Sequence, residues 1–410
     1  MKGFNTIAIH SGAGKRDPHG TLRMPVYDTV AFEFENARAI QLAFEMKAPA
    51  HSYSRISNPT VEFFEERIRS LTGARGVIAV SSGMAAISNI ILALAETGTN
   101  IITTRYVFGN TYSLFEHTLK PWGLEVRYLD LREYEALEGT IDEKTRAIFL
   151  ETITNPQLQV IDVDKIAQIA AKFQVPVILD GTVTTPYLFR AKDHGVAVEV
   201  ISSTKFISGG ATAVGGLIID TGNQNWQFCP RLKEAARKYG PYALIMHLRR
   251  EVYRNLGACL SPHNAYLQTL GLETLGLRIE KSCQNALTVA MFLKSRPEVG
   301  EVNYPGLEDS PYHEVAKRQF GGRFGGILTF TLKDQAACFQ FIDRLTLIKR
   351  STNINDNKTL IIHPASTIFC EYTEEEKKAL GVPANMLRVS VGIEDVEDLI
   401  EDLKRGFGTP

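Results

Sequence analysis

The sequence has few cysteines, and they lack the spacings that cysteine-rich sites require. Five cysteines are scattered through 410 residues, and no two of them form a Cys-x-x-Cys pair. This scatter argues against a disulfide framework and against a zinc site. We therefore expect reduced thiols, a cytoplasmic location and no bound metal.

The sequence also lacks an excess of either charge and any long apolar run. Its 45 Lys and Arg nearly balance its 46 Asp and Glu, which leaves a net charge of −1. A near-neutral chain gives no basis for a nucleic-acid or membrane-surface partner. No stretch is long and apolar enough to span a bilayer, and the start of the chain does not read as a signal peptide. We expect small-molecule ligands, with no nucleic acid and no membrane.

What the sequence does contain is a long α/β pattern. Residues 1–57 are predicted to form an N-terminal arm, of a kind that often reaches a neighbouring subunit, with one helix around ENARAIQLAFEM. Residues 58–255 are predicted to form a large domain and residues 256–410 a smaller α+β domain with a last helix at DVEDLIEDLKRGF. In the large domain, short apolar runs alternate with helical segments, which predicts a mostly parallel sheet covered on both faces. Those runs are VIAVSS, NIITT, LEVRYLD, AIFLET, VPVILD and VEVISS.

One lysine, Lys205, stands among apolar and small residues in VISSTKFISGG. Most lysines are solvated at a surface, and this is the ordinary alternative here. A buried ammonium is costly, however, so a lysine held between a buried strand and a glycine-rich turn is usually paired, deprotonated or used covalently. If desolvation lowers its pKa, the neutral amine becomes a nucleophile that forms a Schiff base with an aldehyde.

Two further signals lie at the ends of predicted strands. The small residues of SSGMAAI begin a helix and suit a phosphate, although an ordinary helix N-cap has the same appearance. Asp180 ends the strand VPVILD, where it either caps a turn or keeps a proton on a ring nitrogen. Ligands of such sheets bind at the carboxyl ends of the strands. A phosphate seat, a carboxylate and Lys205 together predict a pyridoxal 5′-phosphate site.

Seven stretches together resemble the pyridoxal-phosphate enzymes of cysteine and methionine metabolism, the cystathionine synthase and lyase group. The resemblance extends over nearly the full length and implies the type I fold of aspartate aminotransferase. That fold has a central, mostly parallel sheet and a smaller C-terminal α+β domain. The resemblance also implies a homotetramer made of two active dimers. The stretches are YSRISNPT, SSGMAAI, ETITNP, LDGTVTTPYL, SSTKFISGG, HPAS and LRVSVGIED.

The resemblance implies a role for each matching residue. The lysine matching Lys205 forms the Schiff base and moves protons, and the aspartate matching Asp180 pairs with the pyridine nitrogen. The arginine matching Arg388 binds the substrate carboxylate, for which a planar guanidinium is suited. Substrate contacts are also expected from Asn155 and Asn353. Cofactor contacts are expected from Gly83, Met84, Ser202, Thr204 and Phe108, and from Tyr53 and Arg55 of the other subunit, with Tyr53 also a candidate acid or base.

Three positions differ from relatives that cleave thioethers or bind cystathionine. Phe108 stands where the group usually has tyrosine, so ring stacking is kept while the hydroxyl that protonates a leaving thiolate is absent. Acetate is a weak base and needs little such help. Asn110 replaces the reactive cysteine of methionine γ-lyases, and Ser113 replaces an arginine that helps to hold a distal carboxylate. These differences favour an O-acyl substrate and a small sulfur nucleophile.

Residues 248–287 and 352–366 resemble the O-acetylhomoserine sulfhydrylases within that group. Asn355, where those relatives usually have glycine, and the stretch DGTV depart from their pattern and leave the acyl group and the nucleophile open. The sequence therefore predicts the conversion of O-acetyl-L-homoserine by sulfide or methanethiol to homocysteine or methionine, with release of acetate. One alternative is a methionine γ-lyase that releases 2-oxobutyrate, ammonia and methanethiol. Another is a non-catalytic phosphate- or nucleotide-binding α/β module.

Overall fold

The secondary structure comes from a computed structural model that describes residues 3–11, 19–45 and 47–408. The strands are β1 Gly76–Val80, β2 Asn100–Thr103, β3 Glu125–Tyr128, β4 Thr145–Glu151, β5 Val177–Asp180, β6 Val198–Ile201, β7 Gly216–Asp220, β8 Val302–Asn303, β9 Ile327–Thr331, β10 Lys349–Arg350, β11 Leu360–Ile362 and β12 Met386–Ser390. The α-helices are α1 Phe4–His10, α2 Ala37–Phe44, α3 Pro59–Thr72, α4 Gly83–Leu94, α5 Gly109–Ser113, α6 Tyr134–Thr140, α7 Val163–Lys172, α8 Thr185–Leu188, α9 Lys233–Tyr239, α10 Ala243–His247, α11 Tyr253–Leu256, α12 Pro262–Glu273, α13 Leu275–Lys294, α14 His313–Phe320, α15 Gln335–Arg344, α16 Glu374–Ala379 and α17 Val396–Gly406.

The larger sheet has seven strands in the order β1-β7-β6-β5-β4-β2-β3. Strands β2 to β6 are parallel to their neighbours among themselves, while β7 runs antiparallel to both β1 and β6. The prediction of a mostly parallel sheet is confirmed, and each of the six predicted strands is present. Strand β7 was not predicted, because its five residues follow directly on a glycine-rich segment that resembles a turn.

Alternate residues of the strands pack into cores on opposite faces of the sheet. In β1, Val77 and Ala79 belong to one buried cluster, and Ile78 and Val80 belong to the other. Burial of a Val or Ile side chain stabilises the fold by roughly 1.5–3 kcal/mol. Because both faces are covered by helices, the strands read as continuous apolar runs, which is why the sequence pattern identified them.

The smaller sheet has the order β10-β11-β12-β9-β8. Strands β9 and β12 and the last helix, α17, confirm the predicted α+β region. Strands β8 and β10 are two residues long and β11 is three, which is too short to give a periodic signal. The central strand β12 is fully buried and carries Arg388 toward the carboxyl edge of the larger sheet.

The N-terminal region is more closely packed than an extended arm. The predicted helix is present as α2, but α1 was not predicted. Ala8 of α1 is 1% exposed, and the ring of Phe4 lies 4.9 Å from that of Tyr187 in an edge-to-face contact. Part of the predicted arm therefore packs on its own chain. The domain boundaries at 57 and 255 and the contact with a neighbouring subunit stay predictions.

All five cysteines are free thiols, as the sequence predicted: Cys229, Cys259, Cys283, Cys338 and Cys370. In the part of the chain that the structure describes, no helix combines the length and the apolar character needed to cross a membrane.

Candidate active site

A cavity of about 560 Å³ lies at the carboxyl ends of the central strands. Glu151 ends β4, Asp180 ends β5, and Lys205 follows β6, so three neighbouring strands each deliver a polar side chain to the same place. Arg388 of the smaller sheet closes the other side. The position agrees with the rule for parallel α/β sheets. The predicted site residues that line the cavity are Gly83, Met84, Phe108, Asn155, Asp180, Ser202, Thr204, Lys205 and Arg388.

The amine of Lys205 is held and partly desolvated. Its Nζ donates a hydrogen bond of 2.6 Å to Oδ1 of Asn353, so Asn353 reaches the site through the lysine. Burial and the nearby guanidinium of Arg388 lower the pKa of Lys205 to about 8, against the opposing effect of the Asp356 carboxylate. A larger neutral fraction makes the amine a better nucleophile toward an aldehyde.

The start of α4 forms a seat for an anion. Ser82 caps the helix by accepting a 3.0 Å hydrogen bond from the Ala85 N–H, and the first N–H groups of a helix have no partner within it. A Cβ on Gly83 would stand 2.7 Å from Cβ of Ser202, so only glycine lets the helix start approach that segment. Thr204 lies alongside, its hydroxyl donating to the Gly215 carbonyl at 3.1 Å. A phosphate fits here.

Asp180 and Glu151 form a pair of neighbouring carboxyl groups. Asp180 accepts the Thr182 N–H at 2.9 Å, and burial raises the pKa of Asp180. Burial and the adjacent Asp180 raise the pKa of Glu151 well above its usual value, while its Oε1 accepts the Phe108 N–H at 2.6 Å. A protonated ring nitrogen would supply the positive charge that such a pair lacks, so the residues fit a pyridinium.

Arg388 presents an unpaired guanidinium. Its side chain is 2% exposed, and burial lowers its pKa to about 9. Nη1 donates to Oδ1 of Asn155 at 3.1 Å and Nη2 donates to the Thr352 carbonyl at 3.1 Å, whereas Nε has no hydrogen-bond partner in the described chain. Its hydrogen bonds in the described chain go to an amide and to backbone carbonyls, and not to a carboxylate. A substrate carboxylate would therefore complete its interactions.

Tyr53 and Arg55 do not line the cavity of their own chain. Tyr53 is 42% exposed, and the Arg55 guanidinium lies 5.5 Å from the centre of its ring. Nη1 of Arg55 donates to the Arg254 carbonyl at 2.7 Å. Their predicted contact with the cofactor of another subunit stays a prediction.

The remaining wall is mainly apolar and was only partly predicted. Phe108 and Asn110 line the cavity, while Ser113, at the end of α5, does not. Among the described lining residues, Lys205 and Arg388 are the only basic side chains. Sequence reasoning missed Glu151, whose signal was a carboxyl group at the end of an apolar run. It also missed other lining residues, some from nearby and some from distant segments: Ile87, Ile153, Thr182, Val183, Val214, Thr352, Ile354, Thr367 and Ile368.

Comparisons with known proteins agree with this geometry. A family model described as Cys/Met metabolism PLP-dependent enzyme matches residues 5–408. Homocysteine/cysteine synthase of Saccharomyces cerevisiae is 37% identical over an alignment of 435 positions. The alignment covers 99% of this chain and 98% of the yeast protein.

Two solved structures are similar over most or all of the chain. A Campylobacter jejuni structure, provisionally described as an O-acetylhomoserine (thiol)-lyase, has a TM-score of 0.92 and 37% identity and covers 100% of both chains. It carries N′-pyridoxyl-lysine-5′-monophosphate at its own position 205. The O-acetylhomoserine sulfhydrylase of Wolinella succinogenes, which catalyses sulfur transfer in methionine biosynthesis, is 50% identical with a TM-score of 0.77. That similarity covers 86% of this chain and 98% of the other.

Proposed function

Since the chain belongs to the Cys/Met metabolism PLP-dependent enzyme family, we propose that it replaces the acetyl ester of O-acetyl-L-homoserine by sulfide, which yields L-homocysteine and acetate. With methanethiol in place of sulfide, the product is methionine. The observation that carries the proposal is the set of charges in one cavity: the Lys205 amine, the Asp180 carboxylate and the unpaired Arg388 guanidinium.

Pyridoxal phosphate is the cofactor of this family, and when bound it stores the electrons released at the α-carbon of an amino acid. Lys205 would hold its aldehyde carbon through Nζ. Asp180 would keep a proton on the ring nitrogen. Gly83 and Ser202, with their neighbours Met84 and Thr204, would hold the phosphate.

The other residues bind the substrate and move its protons. Arg388 and Asn155 are already joined by a hydrogen bond and would hold the α-carboxylate between them. This fixes the α-carbon near Lys205, whose free amine removes the α-proton and then moves a proton at the β-carbon. Such a positioned base contributes about 10²–10⁴-fold to a rate.

The cavity favours a small neutral acyl group and a small sulfur nucleophile. Arg388 binds the α-carboxylate, and Lys205 binds the cofactor and transfers protons. The described cavity wall therefore has no further basic side chain to pair with a second carboxylate. A dicarboxylic acyl group, or a cysteine nucleophile, would bury an unpaired charge, which is costly. Acetate and sulfide avoid that cost.

The test compares two reactions of the purified, cofactor-loaded protein. One contains O-acetyl-L-homoserine with sulfide, and the other contains methionine alone. Homocysteine from the first with little 2-oxobutyrate from the second is the expected result. The reverse result would make the protein a methionine γ-lyase. Turnover in neither reaction, with bound cofactor present, would contradict both activities.

For assembly and location, we infer a homotetramer of two active dimers in the cytoplasm. The exposed Tyr53 and Arg55, which do not reach their own cavity, support a shared site in which each chain completes its neighbour's. Five free thiols support a reducing compartment. Light scattering of the loaded protein tests the tetramer. Loss of cofactor affinity in Arg55→Ala, without unfolding, tests the shared site.

A further inference from the structure

Asp356 lies behind the residue that holds Lys205. We propose that Asp356 is a positioning residue for the reaction, which acts by fixing the amide of Asn353 and through it the amine of Lys205. The assignment rests on the proposed function, in which the free amine of Lys205 moves protons. Asp356 does not line the cavity, and its hydrogen-bonded connection to the lysine runs through Asn353.

The three side chains form a continuous series of hydrogen bonds. Nδ2 of Asn353 donates to Oδ2 of Asp356 at 3.0 Å, and Oδ1 of Asn353 accepts from Nζ of Lys205 at 2.6 Å. Asp356 is 6% exposed, and its Oδ1 accepts the Lys358 N–H at 3.1 Å. Both carboxylate oxygens are therefore held, and the carboxylate cannot rotate away from the amide without losing a partner.

The carboxylate determines which end of the amide faces the lysine. A side-chain amide donates at one end and accepts at the other, whereas an ionised carboxylate only accepts. If the Asn353 amide turned over, its oxygen would face the Asp356 carboxylate and its NH₂ would face the donor Nζ. Both contacts would be repulsive. With Asp356 in place, Asn353 offers Lys205 an acceptor whenever the amine is free.

Asp356 also changes the electrostatic surroundings of the amine. Lys205 faces Arg388 from β12, and its cavity contains Glu151 from β4 and Asp180 from β5. Of the charges that shift the pKa of Lys205, Arg388 lowers it and Asp356 raises it. Arg278 on α13 in turn faces Asp356. Removal of the Asp356 charge should therefore lower the pKa of Lys205, because the effect of Arg388 is then no longer opposed by Asp356.

The test is a double-mutant cycle on the loaded protein with Asp356→Asn, Asn353→Ala and the double variant. We expect Asp356→Asn to lower kcat by about tenfold or more and to change KM for O-acetyl-L-homoserine less than about threefold, since the loss is in proton transfer. The double variant should be no slower than Asn353→Ala alone, because the hydrogen bonds that connect Asp356 to the lysine pass through that amide. Effects that multiply would overturn the proposal.

A second measurement does not depend on turnover. The visible absorbance of the loaded protein titrates with the Lys205 nitrogen, and its midpoint should move to lower pH in Asp356→Asn, whereas a purely structural role leaves it unchanged. Asp398→Asn, an exposed carboxylate in α17, is the matched control and should keep both kcat and midpoint. If the unaltered chain lacks sulfhydrylase activity, the proposed function fails while this titration still decides the role of Asp356.

The swapped variant Asn353→Asp/Asp356→Asn keeps the proposal testable if Asp356→Asn folds poorly. In the swap, the new amide at 356 can donate to the new carboxylate at 353, which still accepts from Lys205. We expect it to recover at least about a third of the native kcat, against about a tenth or less for Asp356→Asn. Failure to exceed Asp356→Asn, with the protein folded and loaded, would count against an orienting role.

Discussion

The carboxyl group of Glu199 occupies the space that a side chain on residue 181 would need. A Cβ on Gly181 would clash with Oε1 of Glu199 and would lie 3.1 Å from its Cδ. Glu199 belongs to β6 and is 1% exposed, and its Oε1 has no hydrogen-bond partner in the described chain. Gly181, in the stretch DGTV for which the sequence predicts a departure from the relatives, therefore faces a buried carboxyl group on the neighbouring strand β6.

Gly181→Ala should destabilise the protein by about 1–3 kcal/mol through overpacking. The same substitution in a Glu199→Ala background should cost much less, because the clashing carboxyl group is gone. Thermal unfolding midpoints of the four proteins measure this coupling. Gly139→Ala in α6, where a Cβ meets nothing within 4 Å, is the control and should not lower the midpoint. Additive costs at 181 and 199 would show that the two residues do not compete for space.

Glu199→Gln should change how stability depends on pH. Burial and the nearby Asp180 raise the pKa of Glu199 from 4.5 to about 8. A carboxyl group with a raised folded-state pKa contributes stability that is complete below about pH 4.5 and is lost as the pH rises to about 8. Glutamine cannot ionise, so the variant does not lose this stability. The unfolding midpoint of the variant minus that of the native protein should therefore increase from about pH 5 to about pH 8 and stay constant above that pH. A constant difference across this range would contradict ionisation of Glu199.

The strands of the larger sheet could be predicted because both of their faces are buried, which makes them plain apolar runs. The same criterion failed where that pattern was short or followed glycines. Strand β7 follows a glycine-rich segment, and β8 and β10 contain two residues each. Helix α1 was missed because its first residues gave no clear periodic signal, although Ala8 is buried against the body of the chain.

That a residue lines the cavity could be predicted where it ends a strand or matches the relatives, as for Lys205, Asp180 and Arg388. Contacts made between distant segments could not. Glu151 is paired with Asp180 by the register of β4 and β5. Asp356 is connected to Lys205 by hydrogen bonds through Asn353, which lies 148 residues from that lysine in sequence. Such pairs depend on strand register and loop closure, which no local pattern encodes.

Arg388→Gln should weaken substrate binding and raise the pKa of Lys205. A charged hydrogen-bonded contact contributes about 1.5–3 kcal/mol, so KM for O-acetyl-L-homoserine should rise by about tenfold to a hundredfold. The guanidinium now helps to hold the pKa of Lys205 near 8, and its removal should move that pKa toward the ordinary value. Because the neutral amine is the nucleophile, pyridoxal phosphate uptake by the cofactor-free variant should require a higher pH.

Two measurements check this pair of effects: steady-state kinetics and the pH dependence of the rate of cofactor uptake. Arg388→Lys is the control. It keeps the positive charge, so the uptake profile should stay near that of the native protein, while the loss of the planar guanidinium still raises KM. An unchanged KM in Arg388→Gln would remove Arg388 from the substrate site.

Phe108→Tyr should add methionine cleavage to the protein without removing its sulfhydrylase activity. Phe108 lines the cavity, and its N–H donates to Oε1 of Glu151, which holds the backbone of this residue at the cavity wall. A hydroxyl on this ring supplies the proton that a leaving thiolate needs, whereas acetate leaves as a weak base. We expect release of 2-oxobutyrate from methionine to rise by about tenfold or more, and turnover of O-acetyl-L-homoserine to change less than about threefold.

The comparison with Phe108→Leu separates the hydroxyl from the aromatic face. Leucine keeps the apolar volume but loses the ring, so both activities should fall together if stacking is what Phe108 provides. If Phe108→Tyr instead leaves methionine cleavage at the native level while sulfhydrylase activity persists, the missing hydroxyl does not set the choice of substrate. The preference for an ester would then rest on the charges of the cavity, where Arg388 and Lys205 are the only cations among the described lining residues.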